Sequence, residues 1–360
     1  MGQAAQRLIL SSAQFVSGFV PPDYVIFGLL QRRFLYSLTG KTGAGKTAIL
    51  LRVAAHVAEG QKINDREVER GRVLYLAGEN ADDVRMRWIA LAQQMGFDLQ
   101  TIGVHFIPGV IKISDMRERV HQEVKEAGPV SLIIVDTAAA YFEGDDENSN
   151  TQFGDFARRT LRPLTTMPGE PCVVVACHPV KNASDDNLIP RGGGSLLNEM
   201  DGNLTALLLS GAVALHWQGK YRGPDFAPMH FTTRTVTHER LKDSKGRLIP
   251  TVIASPLSEQ GRDDIAKAVR SHEDELLVLL ANPANRKFSQ RELAALLGWS
   301  MKDGNPHQVR VGRALTTLAK AKLITVERGQ IDITKKGQKA AELHVSKTGH
   351  VSENVSNLNA

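Results

Sequence analysis

The segment Gly40-Lys41-Thr42-Gly43-Ala44-Gly45-Lys46-Thr47 meets every fixed position of the pattern G-x-x-x-x-G-K-[ST]. Before it runs Phe34-Leu35-Tyr36-Ser37-Leu38-Thr39, a short β-rich stretch. After it, residues 48–58 are rich in Ala, Leu and Val and hold no Pro or Gly. Strand, glycine loop and helix in that order form the setting a phosphate-binding loop requires. Gly40, Gly43 and Gly45 let the backbone turn tightly, so that its N–H groups point at phosphate oxygens. The helix N-terminus behind them adds partial positive charge. In that setting Lys46 reaches the terminal phosphates and the Thr47 hydroxyl holds Mg²⁺. The alternative is a flexible glycine-rich loop, and the flanking strand and helix argue against it.

A loop of this kind belongs to an α/β domain, and a length of 360 residues leaves room for a second, smaller one. No apolar run reaches the 18 residues of a membrane span. Residues 1–12 lack the long apolar core and small-residue cleavage site of a signal peptide. Cys172 and Cys177 fall in one expected strand on opposite faces, so a disulfide is not expected and the chain reads as cytoplasmic. No spacing resembles a zinc site. A net charge of +5 permits a nucleic-acid partner without requiring one.

Along the chain, residues 73–79 read as a buried strand ending in Glu79, and residues 82–95 as an amphipathic helix. Residues 105–107 read as a short strand, and 114–127 as a helix with Ser114 as N-cap. Val130-Ser131-Leu132-Ile133-Ile134-Val135-Asp136-Thr137 is apolar, β-branched and closed by an aspartate. An acidic loop follows, with Glu143, Asp145, Asp146 and Glu147, then a helix over 151–166. Residues 172–177 form another buried strand with His178 at its end, and 179–197 a polar, glycine-rich mobile loop. Later strands are expected at 203–210, 214–218 and 228–237, with a hairpin turning at 243–246. Strands alternate with helices to about residue 180, which demands a mostly parallel sheet covered on both faces. Ligands bind such sheets at the carboxyl ends of the strands, where Thr39, Glu79, Asp136 and His178 all fall.

These groups suit particular tasks. Asp136 fits the Mg²⁺-holding acid after an apolar strand. Glu79 fits a base that orients and deprotonates water, or else an acid serving the N-terminus of the next helix. His178 fits a hydrogen-bonding sensor of a terminal phosphate, or a merely satisfied polar side chain. Lys220 and Arg222 alternate along a strand and so point one way. They fit a basic pair reaching a neighbouring subunit's phosphate, or a solvated basic edge.

A second domain is expected from residue 259. It begins with a helix over 262–280, then a segment over 289–298 that opens with the capping pair Ser289 and Glu292 and stops at Gly298. A further helix over 305–322 is apolar at Val309, Leu315 and Leu318, and strands flank Glu327-Arg328-Gly329. That is a winged-helix layout, giving domains 1–258 and 259–344 and a disordered tail at 345–360. The last helix carries Arg310, Arg313, Lys320 and Lys322 and no acid. Arg310 and Arg313, three apart, share a face. With Arg328 at the hairpin tip, Arg310, Arg313 and Lys320 make a candidate surface for duplex DNA, the alternative being a protein-docking face.

Taken together, the glycine loop, Glu79, Asp136 and His178 resemble the RecA-like ATPase core over about residues 15–240, above all the AAA-family ATPases of the plasmid RepA hexameric helicase type. The resemblance implies ATP and Mg²⁺ as ligands, a homo-oligomer of six subunits with sites between them, and single-stranded DNA in the ring. Lys220-x-Arg222-Gly-Pro is similar to the trans-acting pair of the RecA and DnaB branch. The resemblance also offers Arg191, in Pro190-Arg191-Gly192-Gly193-Gly194, as a rival finger or pore-loop residue. The winged helix departs from the minimal RepA pattern, and the acidic loop after Asp136 opposes contact with a phosphate backbone. Three functional readings follow: a DNA motor driven by ATP hydrolysis, a DNA-binding module that ATP only switches, and a structural ATPase whose winged helix binds only protein partners.

Overall fold

The computed structural model describes residues 9–146, 149–209, 212–301, 304–327 and 330–348. Two compact units divide it, Met1–Ser258 and Glu259–Ala360. The first unit runs α1 (Ser12–Val16), β1 (Tyr24–Ile26), β2 (Leu30–Gln31), β3 (Leu35–Thr39), α2 (Lys46–Glu59), β4 (Arg72–Ala77), α3 (Ala81–Met95), β5 (Val104–Pro108), α4 (Ile113–Ala127), β6 (Val130–Asp136), α5 (Ala138–Tyr141), α6 (Asn150–Phe156), β7 (Cys172–Cys177), α7 (Gly193–Glu199), β8 (Gly202–Leu209), β9 (Ala212–Tyr221), β10 (Met229–Val236) and β11 (Thr251–Leu257). One π turn (Ala157–Leu161) and one 3₁₀ turn (Arg162–Thr166) extend α6.

Nine strands form one sheet in the order β11-β10-β9-β8-β3-β7-β6-β4-β5. Strands β8, β3, β7, β6, β4 and β5 run parallel, while β9, β10 and β11 extend the sheet antiparallel. This is the α/β, mostly parallel architecture that the alternating pattern predicts.

The apolar runs are continuous because both faces are buried. Leu132 and Ile134 join the core beneath α2 and α3. Ile133 and Val135, one residue out of step, join the core beneath α4, α5 and α6. Each such side chain stabilises the fold by about 1.5–3 kcal/mol, which fixes the register of the central strands. Cys172 and Cys177 are buried and free, one in each core.

Local signals set the helix ends. Gly60, at φ 68°, closes α2 by donating its N–H to the carbonyls of His56 and Val57. Asn80 caps α3 through the N–H groups of Asp82 and Asp83. Ser114 is not the cap of α4: the helix starts at Ile113, and the Ser114 N–H donates to Glu143 at 2.9 Å. A carboxylate of the acidic loop therefore does that work from 29 residues away. Glu147 lies outside the described residues. The stretch expected as a loop over 179–197 holds the start of α7 at Gly193, and segment 179–191 precedes it. That segment folds back on itself through a bridge between Pro179 and Pro190 before α7 begins.

The second unit runs α8 (Glu259–Ala281), a 3₁₀ turn (Pro283–Lys287), α9 (Gln290–Leu296), α10 (Gln308–Lys320), β12 (Ile324–Glu327), β13 (Gln330–Ile333) and α11 (Lys335–Thr348). The expected capping box is present at Ser289 and Glu292. Leu315 and Leu318 are buried with Val311 and Ala314, but Val309 is 53 % exposed and does not belong to the apolar stripe. The stripe is phased on Val311, two residues later, because only that phase repeats at helical spacing with Leu315 and Leu318. Helix α11 extends to Thr348, into the segment expected to be a disordered tail.

Candidate functional site

The P-loop leaves β3 at Gly40, whose N–H donates to the Cys177 carbonyl of the neighbouring β7 at 3.2 Å. A Cβ at Gly40 would stand 2.9 Å from the Ala206 carbonyl oxygen, so only glycine fits between β3 and β8. Gly45 sits at φ 82° as the N-cap of α2, a conformation that side chains disfavour, and its missing Cβ clears Thr233. The first turn of α2 then presents N–H groups that have no partner within the helix, facing a cavity of about 500 Å³.

That cavity is lined by Thr42, Gly43, Gly45, Lys46 and Thr47 from the loop, and by Glu79, Asp136 and His178 from the ends of three further strands. Parallel pairing brings them together. Ala77 is in register with Asp136, Leu35 through Thr39 pair with Val173 through Cys177, and the N–H of Gly78 donates to the Asp136 carbonyl at 2.9 Å.

Lys46 is buried, and its Nζ donates to the carbonyls of Gly40 at 2.7 Å and Lys41 at 3.4 Å. Burial pulls its pKa down, against the opposing pull of Asp136, Cys177 and Glu79. Asp136 is 2 % exposed. Its Oδ2 accepts from the Tyr75 hydroxyl at 2.6 Å. Its Oδ1 is buried with no hydrogen-bond partner among the described residues. Burial raises the pKa of the carboxyl, against the Tyr75 hydrogen bond and the nearby Thr47 hydroxyl, and Glu79 adds to the rise. An unmet carboxylate oxygen beside Thr47, at the mouth of a phosphate-sized cradle, is the donor set a divalent cation takes. Among the described residues no group of three or more His, Cys, Asp and Glu side chains could hold a metal. A cation here would therefore lean on phosphate and water oxygens, as Mg²⁺ does. The residues present fit that ion.

Glu79 is exposed to the cavity. Capping of α3 falls to Asn80, with Asp82 and Asp83 in the first turn, so Glu79 does not provide the cap. His178 also lines a second cavity, of about 380 Å³, together with Lys41, Thr42 and Arg191. The Arg191 N–H donates to the His178 carbonyl at 2.8 Å. Arg191 thus stands beside the P-loop of its own chain.

Lys220 and Arg222 do not. Tyr221 pairs with Gly202 at the amino end of β8, so both basic residues lie at the sheet edge opposite the P-loop. Arg222 donates to the buried Asp201 at 3.1 Å, and Lys220 donates to the Asn198 carbonyl at 2.6 Å. Asp201 also accepts from Arg162 and from the Leu35 N–H.

In the second unit Arg310 and Arg313 part company. The Arg310 guanidinium lies 5.8 Å from the centre of the Trp299 ring, while Arg313 and Lys320 are on the exposed side of α10. Arg328 lies outside the described residues.

Sequence reading passed over Tyr75, Thr233, Val252 and Asn203. The signal for Tyr75 and Asn203 was present: each is a polar-tipped residue inside an apolar strand, and such a residue needs a buried partner.

The cavity can therefore take a polyphosphate with a divalent cation and place a carboxylate and an imidazole near its end. Residues 4–184 match the AAA domain family model. The chain is also 28 % identical over 198 residues to the DNA repair and recombination protein RadB of Methanococcoides burtonii, an alignment covering 51 % of this chain and 78 % of that protein. The family match spans the P-loop, Glu79, Asp136 and His178. Among the described residues no helix is long and apolar enough to cross a membrane.

The buried Asp136 carries a stability consequence. Its folded pKa lies above the ordinary value of 3.8, so between those two values the folded chain keeps a proton that the unfolded chain has released. Stability then falls as pH rises through that window. The Lys46 ammonium keeps the Gly40 and Lys41 carbonyls when the carboxylate is gone. Asp136→Asn is expected to raise the unfolding free energy of the nucleotide-free protein at pH 7 by roughly 1–3 kcal/mol. The gain should shrink toward pH 4. Urea melts at several pH values check this, and a less stable variant at pH 7 contradicts it.

Proposed function

Because the chain belongs to the AAA-domain family, we propose that its first unit is a Mg²⁺-dependent ATPase that acts on DNA. The observation that supports this most directly is the convergence of Lys46, Glu79, Asp136 and His178 on one cavity behind the P-loop. In this reading the loop N–H groups and Lys46 take the phosphates of ATP. A magnesium ion held by the Thr47 hydroxyl and Asp136 Oδ1 would neutralise charge on the phosphate oxygens when bound. Glu79 accepts a proton from the attacking water as its oxygen bonds to the γ-phosphorus and the bond to the ADP oxygen breaks. His178 holds the γ-phosphate by a hydrogen bond.

The RadB relative is named for DNA repair and recombination, and that supports DNA as the object of the work. The finer form of the proposal is a homo-hexameric ring around single-stranded DNA, a motor like the RepA-type helicases. The second unit, read as a winged helix, binds duplex DNA through Arg313 and Lys320 on the exposed face of α10. Arg222 serves a neighbour's site as an arginine finger. To do so it leaves Asp201, whose charge Arg162 continues to balance.

Lys46→Ala is expected to lower ATP turnover by roughly 10³-fold or more, and Glu79→Gln to bind ATP normally yet turn over poorly. Wild-type turnover in the Glu79 variant removes it from the mechanism. Strand displacement that requires hydrolysis separates a motor from an ATP-switched binder.

Mixtures of Arg222→Ala and Lys46→Ala chains should recover part of the activity, because one chain supplies the intact finger and the other the intact loop. If Arg191→Ala mixtures recover and Arg222→Ala mixtures do not, the finger is Arg191.

For the second unit, Arg313→Ala with Lys320→Ala in the full chain should weaken duplex binding and reduce the salt slope of log affinity by nearly two units. Unchanged affinity and slope would favour a protein-docking role.

A further inference from the structure

A chain of hydrogen bonds leaves the P-loop at Lys41 and ends on β3, the strand that leads into the loop, at Ser37 and Thr39. Lys41 Nζ meets Asp185 Oδ1 at 2.7 Å. The Asp185 carbonyl accepts from Gln218 Nε2 at 3.0 Å, and Gln218 Oε1 accepts from the Leu188 N–H at 2.6 Å. Asn203 Nδ2 donates to the carbonyls of Leu188 and Gln218, both at 3.0 Å. Asn203 Oδ1 accepts from Ser37 at 2.9 Å and from Thr39 at 2.7 Å, on the strand that runs into the P-loop.

Asn203 is 0 % exposed and uses both donors and both lone pairs of its amide. Its orientation is fixed as well, since the carbonyls can only accept and the hydroxyls can donate. Strand β9 bulges opposite it: Gly202 pairs with Tyr221 and Leu204 with Trp217, and Gly219 sits at φ 80°. At this bulge Gln218 sends its side chain to Asp185 and Leu188 of segment 179–191, while its carbonyl faces Asn203. That segment begins beside His178 and ends at Arg191, the two groups that line the cavity next to Lys41 and Thr42.

We infer that Asn203, with the Lys41–Asp185 pair, positions segment 179–191 against the P-loop and so sets His178 and Arg191 for turnover. This rests on the ATP-hydrolysis reading above. Asn203 touches no phosphate; it acts through the segment. The buried amide fixes the base of the segment, and the surface ion pair, with side chains 53 % and 38 % exposed, is its breakable latch.

The test reads the segment directly. The N–H groups of Val180, Leu188 and Arg191 are held by Ile189, Gln218 and His178, so their hydrogen exchange reports its order. In the full chain, Asp185→Lys or Lys41→Glu should speed exchange at these amides about fivefold, the scale of one surface pair, with Ile134 in β6 unchanged. The combined Lys41→Glu, Asp185→Lys chain should return to within about twofold of wild type. Asn203→Asp keeps acceptors for Ser37 and Thr39 but sets an acceptor against two carbonyls. It should cut kcat for ATP about tenfold while KM stays within about threefold, because the P-loop itself is unaltered. A residue that only supports the fold would instead move Ile134 exchange along with the segment.

If the single charge reversals leave the three amides unchanged, or the combined chain does not restore them, the latch is wrong. If Asn203→Asp loosens the segment and kcat holds, the segment does not set turnover. Should Asn203→Asp fail to fold, Asp185→Lys carries the kinetic arm with the same expected direction. A wild-type protein without ATPase activity sinks the hydrolysis reading and the claim on turnover. The exchange data would still decide the latch.

Discussion

Parallel pairing of β3 with β7 on one side and β8 on the other is the constraint on which the rest depends. Parallel strands place their carboxyl ends on one edge, and here that edge carries the glycine loop, Glu79, Asp136 and His178. The same pairing explains the small residues around the loop. Gly40 donates to the Cys177 carbonyl while lying too close to Ala206 for any Cβ. Space for the loop and its attachment to both neighbouring strands come from one geometric fact.

The site holds charge under conditions that disfavour it. Lys46 and Asp136 are both buried, and burial moves their pKa values toward neutrality from opposite directions. Two things hold the arrangement in place: carbonyls around the ammonium, and the Tyr75 hydroxyl on one carboxylate oxygen. The other oxygen is left unmet. A fold optimised for stability alone would not keep it, since an unsatisfied buried acceptor costs about 1–3 kcal/mol. Its retention is consistent with a ligand that arrives later.

Asp201 provides the contrast. It is as buried as Asp136, yet it accepts from Arg162, Arg222 and a backbone N–H. With two guanidiniums for one carboxylate, one can depart without stranding the acid. Arg222 is the more exposed of the two, at 63 % against 34 %, and so the easier to release. The charge arithmetic of this hub is compatible with a finger that serves another chain.

The sequence by itself determined the loop, the alternation of strands with helices and the identity of the groups at the strand ends. Gly40 through Thr47, the acid after residues 73–77 and the acid after residues 130–135 each follow from local pattern, because periodicity and turn chemistry are local properties. The sequence also marked the helix with Leu315 and Leu318, but it misphased Val309, since one apolar residue fits two registers until a neighbouring surface selects one. Only the tertiary structure decided which distant residues complete the site. Tyr75 becomes a partner of Asp136 because β4 and β6 pair in a particular register. Glu143 caps a helix that begins far earlier in the chain. Lys220 and Arg222 fall at the opposite edge from their own P-loop because β9 runs antiparallel to β8. Asn203 links residues 37, 39, 188 and 218 through one amide; Gly219 marks a bulge locally, but only the pairing of β8 with β9 sets which residues that amide meets. Local pattern fixes what each segment is; pairing between segments, which depends on burial of both sheet faces at once, fixes what each residue meets.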